Sequence, residues 1–159
     1  MRKLWLCDDW NTLICSNSRH DIRLRFDSDV DVDVKRACKE FINWLRLQYT
    51  FPIRVPIYLK NSMGIKSKSG EIVSATFFGP FDKSLEPYIK IAVGDYEILK
   101  KEMGKDNALA SILHSIAHEL SHYFQWIKNY DFLEAKFEKQ AKYYASEILF
   151  DYADTRDHP

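Results

Sequence analysis

An α+β fold is predicted from three observations. Long stretches near residues 34–49 and 108–128 repeat apolar residues at three- and four-residue steps, the period of a helix with one buried face. Short β-rich runs cluster between those stretches, at Arg54–Leu59, Glu71–Phe78 and Tyr88–Val93. Strand-like runs after one helix, with helices gathered at the end, match segregated α+β order and not βαβ alternation. The expectation is a helix plus a twisted, mostly antiparallel sheet of three to five strands, then two helices, all in one domain over residues 1–159.

Taken in order, Lys3–Cys7 reads as a short strand and Asp8–Asn17 as a polar turn. Ile22-Arg23-Leu24-Arg25-Phe26 alternates with period two, which predicts a half-buried strand with both arginines in water. The aspartates at 27, 29, 31 and 33 lack the central glycine and closing glutamate of a calcium loop. They suit the start of a helix, where carboxylates cap free N–H groups and meet the positive end of the dipole. That helix carries Val34, Ala37, Cys38, Phe41, Ile42, Leu45 and Tyr49 on its core face and stops at Phe51-Pro52. Pro56 predicts an edge or a strand start for Arg54–Leu59. Asn61–Gly70 is a loop, Gly79-Pro80 and Gly94-Asp95 end the next two strands, and Tyr96–Met103 is a short helix stopped by Gly104. A helix with its N-cap at Asp106 or Asn107 follows, then another over Phe132–Asp151 and a frayed tail at Asp154–Pro159 that leaves His158 without a role.

Composition removes several function classes. Lys plus Arg and Asp plus Glu are 23 each, so no net field draws in nucleic acid or an anionic membrane. Cys7, Cys15 and Cys38 are far apart with no CxxC, which predicts reduced thiols and no thiolate zinc site. The apolar run at the N-terminus is broken by Asp8 and Asp9, too early for a signal peptide, and no stretch is long enough to span a bilayer. A cytoplasmic protein is expected.

The helix over 108–128 carries His118-Glu119-Leu120-Ser121-His122. In HExxH the two imidazoles stand one turn apart on one face and reach a single metal ion. Glu119 falls about 100° round the helix from His118, at the edge of that site, where it can act on a water. Ile112, Leu113, Ile116, Ala117, Leu120 and Phe124 supply the apolar stripe that makes the segment helical. A catalytic zinc generally takes three protein ligands and leaves one position open. No glycine turn or histidine follows His122 closely enough to complete HExxHxxGxxH. A glutamate of the last helix is the natural third ligand, with Glu134, Glu138 and Glu147 as candidates. His114, a further four residues back, drifts about 40° off the ion; it is expected to support the site or pack in the core. Tyr123, Tyr130, Tyr143 and Tyr144 are candidate phenols for stabilising an oxyanion.

Glu138-Lys-Gln-Ala141-Lys-Tyr-Tyr144-Ala145-Ser-Glu147-Ile-Leu149, following HExxH, resembles the ExxANxFAxxLL segment of the ImmA/IrrE-type metallopeptidases, within the gluzincins. The resemblance covers roughly the last third of the chain. It implies a zincin-like domain, one Zn2+, His118, His122 and Glu138 as metal ligands, and Glu119 as catalytic base. Lys142 stands where that pattern often has Asn, a polar neighbour of the ligands. What it implies for function is hydrolysis of a peptide or protein substrate, such as restricted cleavage of a regulatory protein. An inactive zincin-like binding domain is the alternative, and a helical protein whose histidines merely pack is a third.

Overall fold

The computed structural model describes residues 3–6, 19–129 and 133–159. Strand β1 (Ile22–Phe26) leads to helix α1 (Val32–Gln48) and strand β2 (Val55–Lys60). Short strands β3 (Ile65–Lys66) and β4 (Ile72–Val73) precede β5 (Ala75–Phe78) and β6 (Tyr88–Ala92), and helices α2 (Tyr96–Met103), α3 (Lys105–Ile127) and α4 (Glu134–Ala153) complete the chain. The α+β class therefore holds among the described residues, with four helices, a four-stranded sheet and a separate two-stranded pair.

The sheet departs from the antiparallel expectation. Its order is β1-β2-β6-β5, with β1 parallel to β2 and β2 parallel to β6; only β5 runs antiparallel to its neighbour. The first helix is a crossover between two parallel strands, a βαβ unit that the strand count concealed, because parallel neighbours need such a connection. Strand β2 is central, although it contains Pro56. Val55 N–H bonds toward β1, at Asp21 O, 3.0 Å away. Since alternate residues of a strand bond to opposite sides, the Pro56 nitrogen faces β6, whose pairing with β2 begins only at Ile57. The missing donor therefore interrupts no ladder bond.

The run Glu71–Phe78 is two strands, not one. Residues 72–73 pair with β3, the chain turns out at Ser74, and 75–78 form the sheet edge against β6. Lys3–Trp5 is a 3-10 turn where a strand was expected; Cys7 and the turn-like Asp8–Asn17 lie outside the described residues. Its Trp5 is fully buried against Phe124 and Phe51, and the indole N–H donates to Ser121 Oγ at 3.0 Å. The aspartate capping is as expected: Asp31 is the α1 N-cap, and its carboxylate accepts from Asp33 N–H at 2.8 Å. For α3, by contrast, the cap is Gly104 at φ 87 with no side-chain bond, so neither Asp106 nor Asn107 serves.

Helix α3 is the axis of the packing. Ala108, Leu109, Ile112, Leu113, Ile116, Ala117, Leu120, Phe124 and Ile127 are all buried, because sheet, α1, α2, α4 and the N-terminal turn cover it from several directions. The apolar face of α1 joins the same core, with the Phe41 ring edge-on to Tyr152 at 4.8 Å. Cys38 is a free thiol buried on that face, and burial pushes its pKa up to about 12. The expected start of the last helix at Phe132 lies outside the described residues; α4 begins at Glu134 and ends at Ala153. Residues 154–159, expected to fray, bond back to the body. Arg156 pairs with Glu40 at 2.9 Å, Arg36 donates to Pro159 O at 3.1 Å, and His158 Nδ1 meets Asp106 at 2.7 Å. His158 is thus a surface partner of α3, remote from the histidine pair. No helix among the described residues is long and apolar enough to cross a membrane.

Phe41→Ala removes a fully buried ring that nothing nearby can replace. We expect a loss of about 3–5 kcal/mol in unfolding free energy, read by urea titration; a change under 1 kcal/mol would mean that the α1 face is not part of the main core.

Candidate metal centre

Helix α3 presents His118 and His122 on one side, as the four-residue spacing requires, with ring centroids 4.9 Å apart. Helix α4 lies against α3 and brings Glu138 to both rings. His118 Nε2 is 3.0 Å from Glu138 Oε2, and His122 Nε2 is 3.0 Å from Oε1. One ligand atom from each residue falls within 4.8 Å of the others, and this is the one such group found among the described residues. Around a tetrahedral zinc bound at about 2.0–2.2 Å, ligand atoms stand roughly 3.3–3.5 Å apart. A small outward shift of the carboxylate accommodates an ion, and two imidazoles with one carboxylate are a donor set that zinc accepts. The residues fit the metal.

The electrostatics agree with that use. Burial, and then the charge of His122, hold His118 below its ordinary pKa although Glu138 pulls the other way. A neutral imidazole is the form that binds a metal. Glu119 is 7 % exposed and lines the cleft in front of the histidines. Burial, with a smaller contribution from the Glu138 charge, pushes its carboxyl up to about 8. A carboxyl that holds its proton weakly enough to give it up, yet strongly enough to take one, is matched to proton transfer near neutrality.

The cleft encloses about 850 Å³. The first turns of α4, through Glu134, Phe137 and Glu138, form one wall, and Ser67, Ser69, Glu71 and Val73 of the β3–β4 hairpin form part of another. Ser74–Phe77, on the edge strand, line it too. Trp126 lines it as well; its indole donates to Pro80 O at 2.8 Å, and a Cβ on Gly79 would stand 2.5 Å from its ring.

The remaining candidates separate clearly. Glu134 lines the cleft but is not in the ligand group, and Glu147 does neither. His114 also lines the cleft, with Nε2 3.2 Å from Ser146 Oγ; burial and then Lys142 lower its pKa. It is held by α4 and stands apart from the ligands. Tyr123 is committed elsewhere: its hydroxyl donates to Ile53 O at 2.6 Å and accepts from Ile53 N–H at 3.0 Å, inside the core. Tyr143 is exposed and stacks edge-on with Tyr144, and neither lines the cleft. Tyr130 lies outside the described residues.

One residue of the site was missed in the sequence. His122 Nδ1 is 2.7 Å from Gln125 Oε1, and Gln125 Nε2 donates to Phe137 O at 3.0 Å and Gln140 Oε1 at 2.9 Å. Lys142, at the position where the resembling pattern often has Asn, is exposed. The partner comes from the motif helix itself, three residues beyond His122 on the same face, a spacing that the sequence displays. A scan against protein-family models, a search of curated proteins and a search of solved structures each returned no match.

Proposed function

We propose that this chain is a zinc-dependent peptidase in which His118, His122 and Glu138 hold one zinc ion and Glu119 is the general base. The observation that carries the reading is the convergence of two Nε2 atoms and one carboxylate, from two helices, at a cleft that Glu119 also lines. The HExxH and Glu138 segments, and their likeness to the ImmA/IrrE-type peptidases, support the same assignment. When bound, zinc supplies a Lewis acid that polarises a carbonyl and makes a water acidic near neutral pH. Glu119 takes the proton of the attacking water and returns it to the leaving amine. Trp126, Phe77 and Phe137 give the cleft beside Glu119 an apolar lining.

Strand β5 is the place for substrate. Among the described residues it pairs with β6 on one side only, and its residues line the cleft, so an extended peptide can add to its free edge. Strand β6 is enclosed between β2 and β5 and offers no such edge. Glu71 and Glu134 make no ion pair among the described residues, and no lysine or arginine lines the cleft. A peptide with a basic side chain near the cut bond suits these walls.

The test is metal content and cleavage together. Purified protein should hold about one equivalent of zinc and cut lysine- or arginine-containing peptides faster than acidic ones, with activity lost to a chelator and restored by zinc. Protein that folds yet takes up no zinc from excess, or cleavage indifferent to chelation, would sink the reading. Among the described residues no tyrosine, lysine or arginine lines the cleft to face an oxyanion, which suits a second reading, a zinc-holding domain that binds peptides without cutting them. Stoichiometric zinc with peptide binding and no hydrolysis is its signature.

A further inference from the structure

We propose that Gln125 is a positioning residue that decides which nitrogen of His122 faces the metal and ties that choice to the helix carrying Glu138. The inference rests on the reading of His122 as a ligand, but its first consequence exists without any metal. Gln125 is 4 % exposed, and its amide has little freedom. A backbone carbonyl can only accept, so the amide group facing Phe137 O at 3.0 Å must be the NH2. Its second proton goes to Gln140 Oε1 at 2.9 Å. Turning the amide over would set two oxygens against each other and leave a buried donor unmet, at a cost above that of an ordinary lost hydrogen bond.

With the amide so held, Oε1 is what meets His122 Nδ1 at 2.7 Å, and it can only accept. His122 Nδ1 therefore carries the proton. A neutral imidazole has one N–H, so Nε2 is left as a bare lone pair, and Nε2 is the atom 3.0 Å from Glu138 Oε1. Two acceptors facing one another at that distance are an arrangement completed by a cation or a proton between them. The network also closes on itself: Phe137, whose carbonyl holds Gln125, directly precedes Glu138 in α4. His122, Gln125, Phe137 and Glu138 form a ring across the two helices, so the direction of the imidazole lone pair and the position of the carboxylate are set by one set of bonds.

The tautomer is read by nitrogen NMR of metal-free protein with labelled histidine, at mildly alkaline pH. Wild type should show His122 protonated at Nδ1, and Gln125→Leu should shift it toward the Nε2–H form, with thermal melts recording any general loss of stability. Zinc affinity, from competition with a chelating dye, should fall about 10–100-fold in Gln125→Leu. Gln125→Glu keeps the acceptor for Nδ1 and should hold His122 in the Nδ1–H form, which a packing defect would not, although its second oxygen now faces Phe137 O and loosens the tie to α4. An Nε2–H tautomer in wild-type metal-free protein would overturn the proposal without any variant. Unchanged tautomer and zinc affinity within about twofold in Gln125→Leu would overturn it as well. If wild type took up no zinc, the peptidase reading would fail while the tautomer measurement still decided the role of Gln125.

Discussion

Glu119→Gln is expected to bind zinc as wild type does and to hydrolyse peptide about 10²–10⁴-fold more slowly, the range by which a positioned general base accelerates a reaction. The substitution is nearly isosteric and removes only the ability to take a proton. It also relieves the fold of a carboxyl that burial disfavours in its charged form, since that carboxyl is pushed up to about 8. We therefore expect metal-free Glu119→Gln to be at least as stable as wild type, and the lost rate cannot be charged to unfolding. The decisive comparison is kcat, with zinc content measured on the same sample. A Glu119→Gln protein that holds zinc and turns over at the wild-type rate would remove Glu119 from the mechanism.

Glu138→Ala should abolish tight zinc binding, whereas Glu134→Ala should leave it nearly intact. The two residues are four apart on α4 and line the same cleft, but only Glu138 meets both histidines. Two imidazoles alone make an incomplete site, so we expect zinc affinity to drop by at least about 100-fold on removal of the third ligand, with peptide hydrolysis lost in parallel. Glu138 is exposed, so its removal leaves no core cavity and the folded state survives for the measurement. Equal losses in the two variants, or a larger loss in Glu134→Ala, would move the ligand one turn toward the start of α4. Zinc titration of both proteins beside wild type answers this directly.

The local periodicities were readable because they depend on neighbours in sequence. The apolar stripe of α1, the alternation of β1, the stop at Gly104 and the two histidines of α3 follow from the geometry of a single helix or strand. Pairing partners do not follow in that way. Nothing near Pro56 says that β2 lies between β1 and β6, because its missing donor matters only once the β6 register is known. Nothing near Ser74 says that one β-rich run divides between two sheets. Nothing near residues 154–159 shows that the tail is held, because its anchors, Arg36, Glu40 and Asp106, are distant in sequence.

The same division runs through the candidate site. His118, Glu119 and His122 are set by one helical turn, and their relative placement was determined by the sequence alone. That Glu138, not Glu134 or Glu147, stands at both histidines was suggested by a resemblance, but only the packing of α4 on α3 brings the carboxylate to 3.0 Å from each ring. Tyr123 was removed from the chemistry by a hydrogen bond to Ile53, 70 positions away. Gln125 was visible as a residue one turn from His122, yet its role depends on a backbone carbonyl of another helix. Sequence sets what one element offers on its face; the tertiary structure decides which partner meets it, because hydrogen-bond and ligand distances are satisfied only between elements already packed.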